Sequence, residues 1–540
     1  MAYVKPGVEI VQESKTTTPA LITPDLEGCL VGNGYYWQDI SLEESIVTWK
    51  THHGGTPTTV ALSGINSVYY DVEGLKEMVL VDLVTISGTG IGEVSHLTYT
   101  TNFSVTSNVV TISGTAGTSE NLFQIRVGYL ANKNASDYGM KMLYSLADVE
   151  ETIGEPVSWN PLAFGARLAM LNSGRQLTVL NVSGVTSNAI ETAIDGELGT
   201  RDVYAIAPMT YNVSIGTLKT HVVNASLPEN KKERIAIVNR DASTMWNSTP
   251  FASDNTSKTR TVEAIRDANI SYLERRLTIT SPDIAYITET RHISTISPAW
   301  IKASFLPYGA LWAGAYTNYL KAKFAFDAFV NNKKYKANTE ITTAIWTELR
   351  DYGWASGDGL VTVLVPVPGF YYTALVVGQV IGEFPEQPLT NLPTNGLKET
   401  KGSSDYYNEA QLNILAEGGT YIMVQPNPNA PIVSRHQLTT DMTQVSKREL
   451  SIVKALDYVA KFIRKSLSPY IGRYTITPAF LKLINSILIS ISLYLTREGR
   501  IADMKILSVS VDENSPDTIR ITVDIKVKYP VNYIKVTLLF

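Results

Sequence analysis

The sequence predicts an α+β multidomain chain with an α/β core, a terminal domain of two helices and a β-sheet, and a β-rich insertion domain. At 540 residues, 44% apolar and 18% charged, the chain is too long for one hydrophobic core, so three or four domains are expected. Apolar runs alternate with helical patterns in the first half, whereas one early stretch lacks helical signals. The final part changes from a helical period to a strand period.

The α/β core is assigned to residues 19–47 and 130–310. Short apolar runs alternate there with segments of helical spacing, which is typical of a sheet covered by helices. The predicted strands are Gly28–Tyr35, Leu177–Val182, Val203–Ala207 and Arg234–Val238, and the predicted helices are Pro161–Ser173, Ile215–Ala225 and Thr261–Arg276.

The β-rich insertion domain is assigned to residues 48–129, where Val, Thr, Ser and Gly dominate. Inside it, Val84-Thr85-Ile86-Ser87-Gly88-Thr89 recurs as Val110-Thr111-Ile112-Ser113-Gly114-Thr115. The repeat indicates that one strand-and-turn unit is used twice.

Two further segments precede the terminal domain. Residues 311–384 are assigned to a second insertion, which includes Leu360–Val367 and Phe370–Val380. Residues 385–433 are assigned to a linker segment, rich in proline, glycine and polar residues at its start, with one helix at Asn408–Gly418.

The terminal domain is assigned to residues 434–529. Ser446-Lys447-Arg448-Glu449 has the S-x-x-E pattern of a capping box, so a helix is expected to begin there and to run to Leu467, before Ser468-Pro469. Thr477-Pro478 predicts the start of a second helix, which Gly499 ends. Two strands follow, one with Met504, Ile506, Val509 and Val511, the other from Ile519 to Val527.

Both chain ends are predicted to be extended arms outside the folded domains. Residues 1–18 predict a short strand on a polar tether, and residues 530–540 predict a last strand that Pro530, a candidate hinge, separates from the hairpin. An apolar strand at a terminus needs a sheet edge, either in its own chain or in another copy. The candidate interlocking residues are Val4, Val8, Ile10, Ile534, Val536, Leu538 and Phe540.

Charge is distributed unevenly along the chain. The net charge is −5, but from Arg435 onward nine lysines and seven arginines stand against six aspartates and three glutamates, a net of +7, which leaves −12 on the preceding part. With a sequence pI near 5.8 and no arginine-rich run, an acidic protein partner is favoured over nucleic acid or lipid. The single cysteine, Cys29, excludes an intramolecular disulfide and fits a reducing cytoplasm.

The sequence lacks the common catalytic and cofactor motifs: there is no Walker loop, no G-x-S-x-G elbow, no H-E-x-x-H and no cysteine pair. The adjacent His52 and His53 suit a loop better than a metal site, and Asp241 is explained by helix capping. Polar residues interrupt the apolar stretch Pro478–Leu495, which favours a buried helix over a membrane span. No enzyme activity, metal, cofactor, nucleic acid or membrane insertion is therefore expected, nor is a signal peptide.

Several segments, in this order along the chain, resemble the contractile tail sheath proteins of bacteriophages, the myovirus-type family related to pyocin and type VI secretion sheaths. The resemblance covers both ends and about half of the middle, and it rests on the order of the motifs. The segments are Pro6-Gly7-Val8-Glu9-Ile10, Asn160–Ala166 with Asn172–Leu180, Pro388–Asn391 with Asn395-Gly396, Arg435–Asp441, the two terminal helices, Gly499-Arg500-Ile501 and the closing strands.

The resemblance implies a structural subunit that polymerises as six-fold rings around an inner tail tube and contracts, without nucleotide, to drive the tube through a host envelope. It implies that the N-terminal arm and the C-terminal strand complete the terminal-domain sheets of neighbouring copies. The implied partners are other copies in stacked hexameric rings, the inner tail tube protein, and the baseplate and tail terminator proteins. The implied location is the virion tail sheath, assembled in the host bacterial cytoplasm.

A basic stripe on the first terminal helix is the candidate contact with an acidic tube. Lysines recur there every seven residues, which places them on one face of a continuous helix. A solvated helix face explains such a stripe as well as a tube contact does. The candidate residues are Lys447, Lys454, Lys461, Arg464 and Lys465, with Lys482 on the second helix as a rival.

Two other classes of protein stay open at this point. A strand-exchanging virion or filament protein of another kind would also carry arms, but would not need a concentrated basic terminal domain. A decorated α/β enzyme should stay active as a monomer without its arms, whereas a sheath subunit should lose polymerisation.

Overall fold

The computed structural model describes residues 24, 26–44, 58–61, 79–87, 90–96, 103–106, 109–112, 122–132, 138–154, 156, 160–183, 186–240, 255–292, 360–400, 407–427 and 430–538. They form two compact units, one from Leu26 to Ser451 and a C-terminal unit that begins at Ile452. The predicted N-terminal arm, with Val4, Val8 and Ile10, lies outside the described residues, as do Phe540 and most of the predicted second insertion.

The described residues form the following helices. They are α1 (Leu146–Ile153), α2 (Pro161–Ser173), α3 (Ser187–Ala193, continued by a π-helical turn Ile194–Leu198), α4 (Ile215–Ala225), α5 (Asn255–Ile270), α6 (Phe370–Gly382), α7 (Glu409–Glu417), α8 (Val445–Arg448), α9 (Leu450–Leu467) and α10 (Pro478–Arg497).

The strands fall into five sheets. They are β1 (Gly28–Gly32), β2 (Tyr35–Glu44), β3 (Thr58–Ala61), β4 (Val79–Ser87), β5 (Gly90–His96), β6 (Phe103–Thr106), β7 (Val109–Ile112), β8 (Leu122–Asn132), β9 (Gly139–Leu143), β10 (Leu177–Asn181), β11 (Ala205–Pro208), β12 (Ile235–Asn239), β13 (Leu277–Ser281), β14 (Ile284–His292), β15 (Leu360–Pro368), β16 (Pro393–Thr394), β17 (Glu399–Thr400), β18 (Thr420–Val424), β19 (Ile432–Ser434), β20 (Asp503–Val511) and β21 (Ile519–Lys526).

A nine-stranded sheet organises the first unit, in the order β16-β19-β18-β13-β12-β11-β1-β10-β9. Its six inner strands, from β18 to β10, run parallel. The outer strands β9, β19 and β16 are antiparallel to their neighbours. The molecule is therefore a mixed α/β structure with a large, mostly parallel sheet.

The inner strands are short and mainly apolar. Strands of a parallel sheet have this composition because helices cover both faces of the sheet. Every residue of β1, β10, β12 and β13 is buried. β10, β11 and β12 lie where the sequence predicts strands, and α2 and α4 coincide with predicted helices.

Helix α6 belongs to this core, although the sequence assigned it to a second insertion. All of its residues from Phe370 to Ile381 are buried. A Cβ atom at Gly378 would lie 2.4 Å from the carbonyl oxygen of Ala169, so α6 and α2 approach closely where glycine leaves room. The rings of Phe164 and Tyr371 meet edge to face at 4.9 Å.

Residues 385–433 are not a linker segment. They supply β18, which pairs with β13 in the parallel sheet, and β19 and β16 at the edge. The signal was the short apolar run Thr420-Tyr421-Ile422-Met423-Val424, bounded by glycine on one side, which is typical of a buried strand.

The segment 434–451 also belongs to the first unit, so the C-terminal unit begins later than residue 434. The Thr440 amide donates to the Leu277 carbonyl at 3.0 Å, and the Thr440 hydroxyl donates to the Glu274 carbonyl at 2.9 Å. The Gln437 side-chain oxygen accepts a hydrogen bond from the Leu389 amide at 2.9 Å. These bonds fix the segment to strand β13 and its neighbours.

The described residues from Tyr35 to Asn132 are all strands, in sheets β2-β8-β4-β5 and β3-β7-β6. Strands β2 and β8 pair along their whole length, from Tyr35 opposite Asn132 to Glu44 opposite Phe123. The β-rich region thus begins directly after β1 rather than at residue 48. The described residues of the two copies, Val84–Ser87 and Val110–Ile112, lie in β4 and β7, in different sheets.

Candidate functional site

The C-terminal unit consists mainly of helices α9 and α10 and the hairpin β20–β21. The Thr477 hydroxyl accepts the Phe480 amide at 3.1 Å and caps α10, with Pro478 in the first turn, as the sequence predicts. The buried face of α10 carries Ile487 and Ile491, and the Ser492 hydroxyl donates to the Met504 carbonyl in β20 at 2.7 Å. The helix therefore supports one face of the hairpin.

The hairpin contains a β-bulge at Leu507. The register shifts between Ile506 and Ser508, which leaves Leu507 as the extra residue with 63% of its surface exposed. The apolar spacing Met504, Ile506, Val509, Val511 records this bulge, because one step in it is three residues instead of two. Strand β21 keeps a regular register from Ile519 to Lys526.

The turn of the hairpin is held by a charge contact. The guanidinium of Arg520 lies 2.6 Å from the Asp512 carboxylate, which also accepts the Asn514 amide at 2.9 Å. The amide of Asn514 and the side chain of Arg520 lower the pKa of Asp512 below its usual value. The carboxylate stays charged at neutral pH and fixes the turn.

The chain after β21 is not part of this sheet, which contains only β20 and β21 among the described residues. From Val527 to Leu538 the chain has no helix or strand. The predicted interlocking residues Ile534, Val536 and Leu538 are 79%, 74% and 81% exposed, and Val531 and Tyr533 are 80% and 82% exposed. A single copy therefore presents a terminal segment of exposed apolar side chains.

The predicted basic stripe does not form a surface. Lys454 and Lys461 are buried, with 0% and 3% of their surface exposed, and Arg464 is half-buried. Of the six candidate tube-contact cations, Lys465 and Lys482 are exposed. A seven-residue spacing identifies residues that share a helix face, but it does not reveal whether that face meets protein or solvent.

Lys447 lies on a different helix from Lys454. Helix α8 ends at Arg448, Glu449 has an extended backbone, and α9 begins at Leu450. The predicted capping box is wrong, since the Glu449 carboxylate lies 2.8 Å from His436 Nε2 and 3.4 Å from Arg448 Nε. Lys447 itself lies 3.5 Å from the Asp441 carboxylate.

In open α/β sheets ligands usually bind beyond the carboxyl ends of the strands, where the strand order reverses. That point lies between β1 and β11 here, because β1 has β10 on one side and β11 on the other. Met209 fills it: it is 1% exposed, and its Cβ lies 3.2 Å from where a Cβ of Gly32 would be. Asn33 is 2% exposed and its amide donates to the Val182 carbonyl.

The buried His221 in the first unit contacts an aspartate, as the histidine of a catalytic dyad does. His221 Nδ1 lies 2.6 Å from Asp195 Oδ1, and His221 Nε2 lies 2.9 Å from a guanidinium nitrogen of Arg234. Arginine can only donate, so Nε2 accepts and Nδ1 carries the proton. The nitrogen that a general base would use is thus occupied by Arg234, and the arrangement joins three elements instead of catalysing a reaction.

Two further features bear on the class of protein. Within the described ranges no group of three or more His, Cys, Asp or Glu side chains could hold a metal ion. Helix α10 is the described helix that is long and apolar enough to cross a membrane, with a third of its 18-residue apolar window buried. Core helices of soluble proteins have the same composition.

No protein-family model matches the chain, and no curated protein matches it. Among solved structures, it is similar to the helical sheath of the anti-feeding prophage in its contracted state, with 10% identity over 75% of this chain and 90% of that chain, at a TM-score of 0.46. It is also similar to the contracted sheath complex of an extracellular contractile injection system, with 12% identity over 74% of this chain and 86% of that chain, again at 0.46. A sheath tail protein from Desulfitobacterium hafniense matches 98% of this chain and 100% of its own, with 9% identity and a TM-score of 0.40.

Lys454→Glu should destabilise the protein strongly, because it reverses a charge that is fully buried. The expected loss in the free energy of unfolding is about 3–5 kcal/mol, measured by urea denaturation. Lys465→Glu on the same helix is the matched control, since Lys465 is exposed and its reversal should change stability by about 0.5 kcal/mol or less. Equal stability of the two variants would contradict the buried position of Lys454.

The His221 contacts predict a pH dependence of stability. Burial, followed by the charge of Arg234, lowers the pKa of His221 below 6.5, against the opposing effect of Asp195. A histidine kept neutral in the folded state contributes stability above the unfolded pKa and loses it as pH falls through the folded pKa. The free energy of unfolding should therefore fall as pH drops below about 6.5.

The measurement compares wild type with His221→Gln, whose amide can still accept from Arg234 and donate to Asp195. Denaturation midpoints at a series of pH values should fall with acid more steeply for wild type than for the variant. Parallel curves for the two proteins would mean that His221 does not titrate in this way.

Proposed function

We propose that this chain is the structural subunit of a contractile tail sheath, whose copies interlock by exchanging terminal strands. The observation that carries the proposal is the terminal segment Val531–Leu538, which exposes a row of apolar side chains in a single copy. Exposed apolar surface costs about 25 cal/mol per Å², so such a segment is stable only when another surface covers it.

The local chain geometry favours an acceptor in another copy. An antiparallel return beside β21 needs a turn, and a parallel one needs a crossover of a dozen or more residues. The four residues Val527–Pro530 between β21 and the segment are too few for a crossover, and among the described residues the segment pairs with neither strand of its own hairpin. The hairpin β20–β21 of a neighbour provides the acceptor, because it is a two-stranded sheet with an outer edge on each strand.

The remaining parts of the proposal follow from the sequence resemblance. The subunits form stacked six-fold rings around an inner tail tube, next to baseplate and tail terminator proteins, in a virion tail assembled in the bacterial cytoplasm. The extended sheath stores its energy in metastable packing, so that contraction requires no nucleotide. Strand exchange suits this function because main-chain hydrogen bonds keep the subunits linked while they rotate.

Val536→Asp with Leu538→Asp should abolish polymerisation and leave a folded monomer, because each charge would have to be buried at the acceptor sheet. The matched control is Lys535→Asp with Thr537→Asp, on the alternate positions of the same strand. Negative-stain electron microscopy and sedimentation velocity measure the outcome. Hollow striated cylinders from wild type and control, but not from the first variant, are expected; cylinders from all three would refute strand donation.

The tube contact is proposed at Lys482, the exposed cation of α10 among the candidates. Lys482→Glu should weaken binding of the full chain to the inner tube protein at least about tenfold, and the loss should shrink at high salt because the charges are screened. The matched control is Lys398→Glu, an exposed lysine of the first unit that lies outside the acceptor hairpin. Co-sedimentation with tubes measures both, and an equal loss in both variants would mean that only net charge matters.

A further inference from the structure

The loop between α9 and α10 forms a rigid aromatic surface, here called the tip, from Ser468 to Phe480. The rings of Tyr470 and Tyr474 lie 5.8 Å apart, and Tyr474 stacks on Phe480 at 5.3 Å. Ile471 is 75% exposed and Tyr474 is 56% exposed. The stacking of Tyr474 on Phe480 restricts both rings before binding, so less side-chain conformational entropy is lost when a partner docks.

The tip carries one positive charge, that of Arg473, and a lysine lies just before it in α9. Between Tyr458 and Arg497 the chain contains no aspartate or glutamate. Arg473 in the loop is exposed, and so is Lys465, which lies in α9 about one turn before the loop begins. Tyrosine and arginine around an exposed aliphatic side chain are the residue types that dominate binding energy at protein interfaces. The tip thus fits an acidic partner that has an apolar centre.

The chain itself carries a surface of this kind on its first unit. This edge patch consists of the end of β9, which is an outer strand of the nine-stranded sheet, and helix α1. Met142, Tyr144 and Leu146 are 41%, 68% and 44% exposed. Helix α1 carries Asp148, Glu150 and Glu151 and no basic residue. Apolar side chains and negative charges therefore lie next to each other along the chain.

The edge patch is held in shape by a capping box. The Asp148 carboxylate accepts the amides of Tyr144 at 2.7 Å and Ser145 at 3.0 Å, while the Ser145 hydroxyl accepts the Asp148 amide at 3.2 Å. These bonds, with that of the Tyr144 amide first, lower the pKa of Asp148. The patch keeps its negative charge at neutral pH, and the backbone that carries Tyr144 is fixed.

We propose that the tip of one copy docks on the edge patch of a second copy. Arg473 of one copy pairs with the α1 carboxylates of the other, and Ile471 and Tyr474 cover Tyr144 and Leu146. The contact joins two different surfaces, so it is heterologous and repeats from copy to copy as a ring or a helix. It rests on the proposed self-assembly and adds to it a second, charge-dependent contact that is independent of strand exchange.

Nucleic acid is a poorer fit to the tip. Base stacking needs a free aromatic face, but Tyr474 already stacks on Phe480 and is in tilted contact with Tyr470. A lipid surface would require more exposed aliphatic side chains than Ile471 alone. A protein surface can use the ring edges and hydroxyl groups that stacking leaves accessible.

A charge swap tests the contact in the full-length chain. Arg473→Glu alone and Glu150→Lys alone should each raise the concentration needed for polymerisation at least about tenfold, and the two changes in one chain should restore it to within about threefold of wild type. Arg497→Glu is the matched control, because its side chain is 79% exposed near the other end of α10. Sedimentation velocity over a concentration series measures all four variants.

Cross-linking separates this contact from strand exchange. Ile471→Cys and Leu146→Cys in one chain, with Cys29→Ser, should give a ladder of disulfide-linked oligomers on oxidation, whereas either cysteine alone should not. A disulfide ladder from the double-cysteine chain, when the wild-type chain forms no cylinders, would support the docking and overturn the sheath proposal.

Cylinders without a ladder, and with no effect of Arg473→Glu, would overturn the docking and leave the sheath proposal standing. Binding of single-stranded DNA or of anionic phosphatidylserine vesicles that Arg473→Glu abolishes, while polymerisation is unchanged, would also overturn it, in favour of nucleic acid or lipid.

Discussion

The structure depends on the parallel pairing of β13 with β18. The chain leaves the parallel part of the main sheet at Ser281 and returns to that parallel part at Thr420, where Ile279 lies opposite Thr420 and Ser281 opposite Ile422. Helix α6 lies between these points in sequence and packs against α2 in the core. Closing so long a loop costs entropy, and the buried strand with its apolar neighbours Val262 and Leu415 offsets it. This return adds β18, β19 and β16 to the sheet that the preceding strands form.

Sequence patterns predicted those parts of the fold that local chemistry determines. The apolar runs of β10, β11 and β12 gave the sheet, and Thr477-Pro478 gave the start of α10. Pro530 and the apolar residues beyond it predicted a last strand, whereas residues 531–538 are exposed and form no strand in a single copy, so the strand stays a prediction. Even the bulge at Leu507 was present in the spacing of apolar residues, although it was read there as a regular period.

The sequence patterns gave wrong predictions where contacts between residues distant in the sequence determine the structure. Glu449 fits a capping box by sequence, but His436 and Arg448 take its carboxylate and the helix breaks there. Lys454 and Lys461 have the spacing of a surface stripe, yet both are buried, because a helix can be covered on more than one side. The acidic edge patch and the basic tip were missed as well, since sequence gives the charges but not which apolar residues stay exposed beside them.

The bulge at Leu507 makes the two outer edges of the hairpin different from each other. A hairpin with two regular edges would be a template for uncontrolled pairing with other copies. The extra residue breaks the ladder of β20, whereas β21 keeps an uninterrupted register over its length. In the proposed assembly, two unlike edges would give each subunit a front and a back, so that the polymer would grow in one direction.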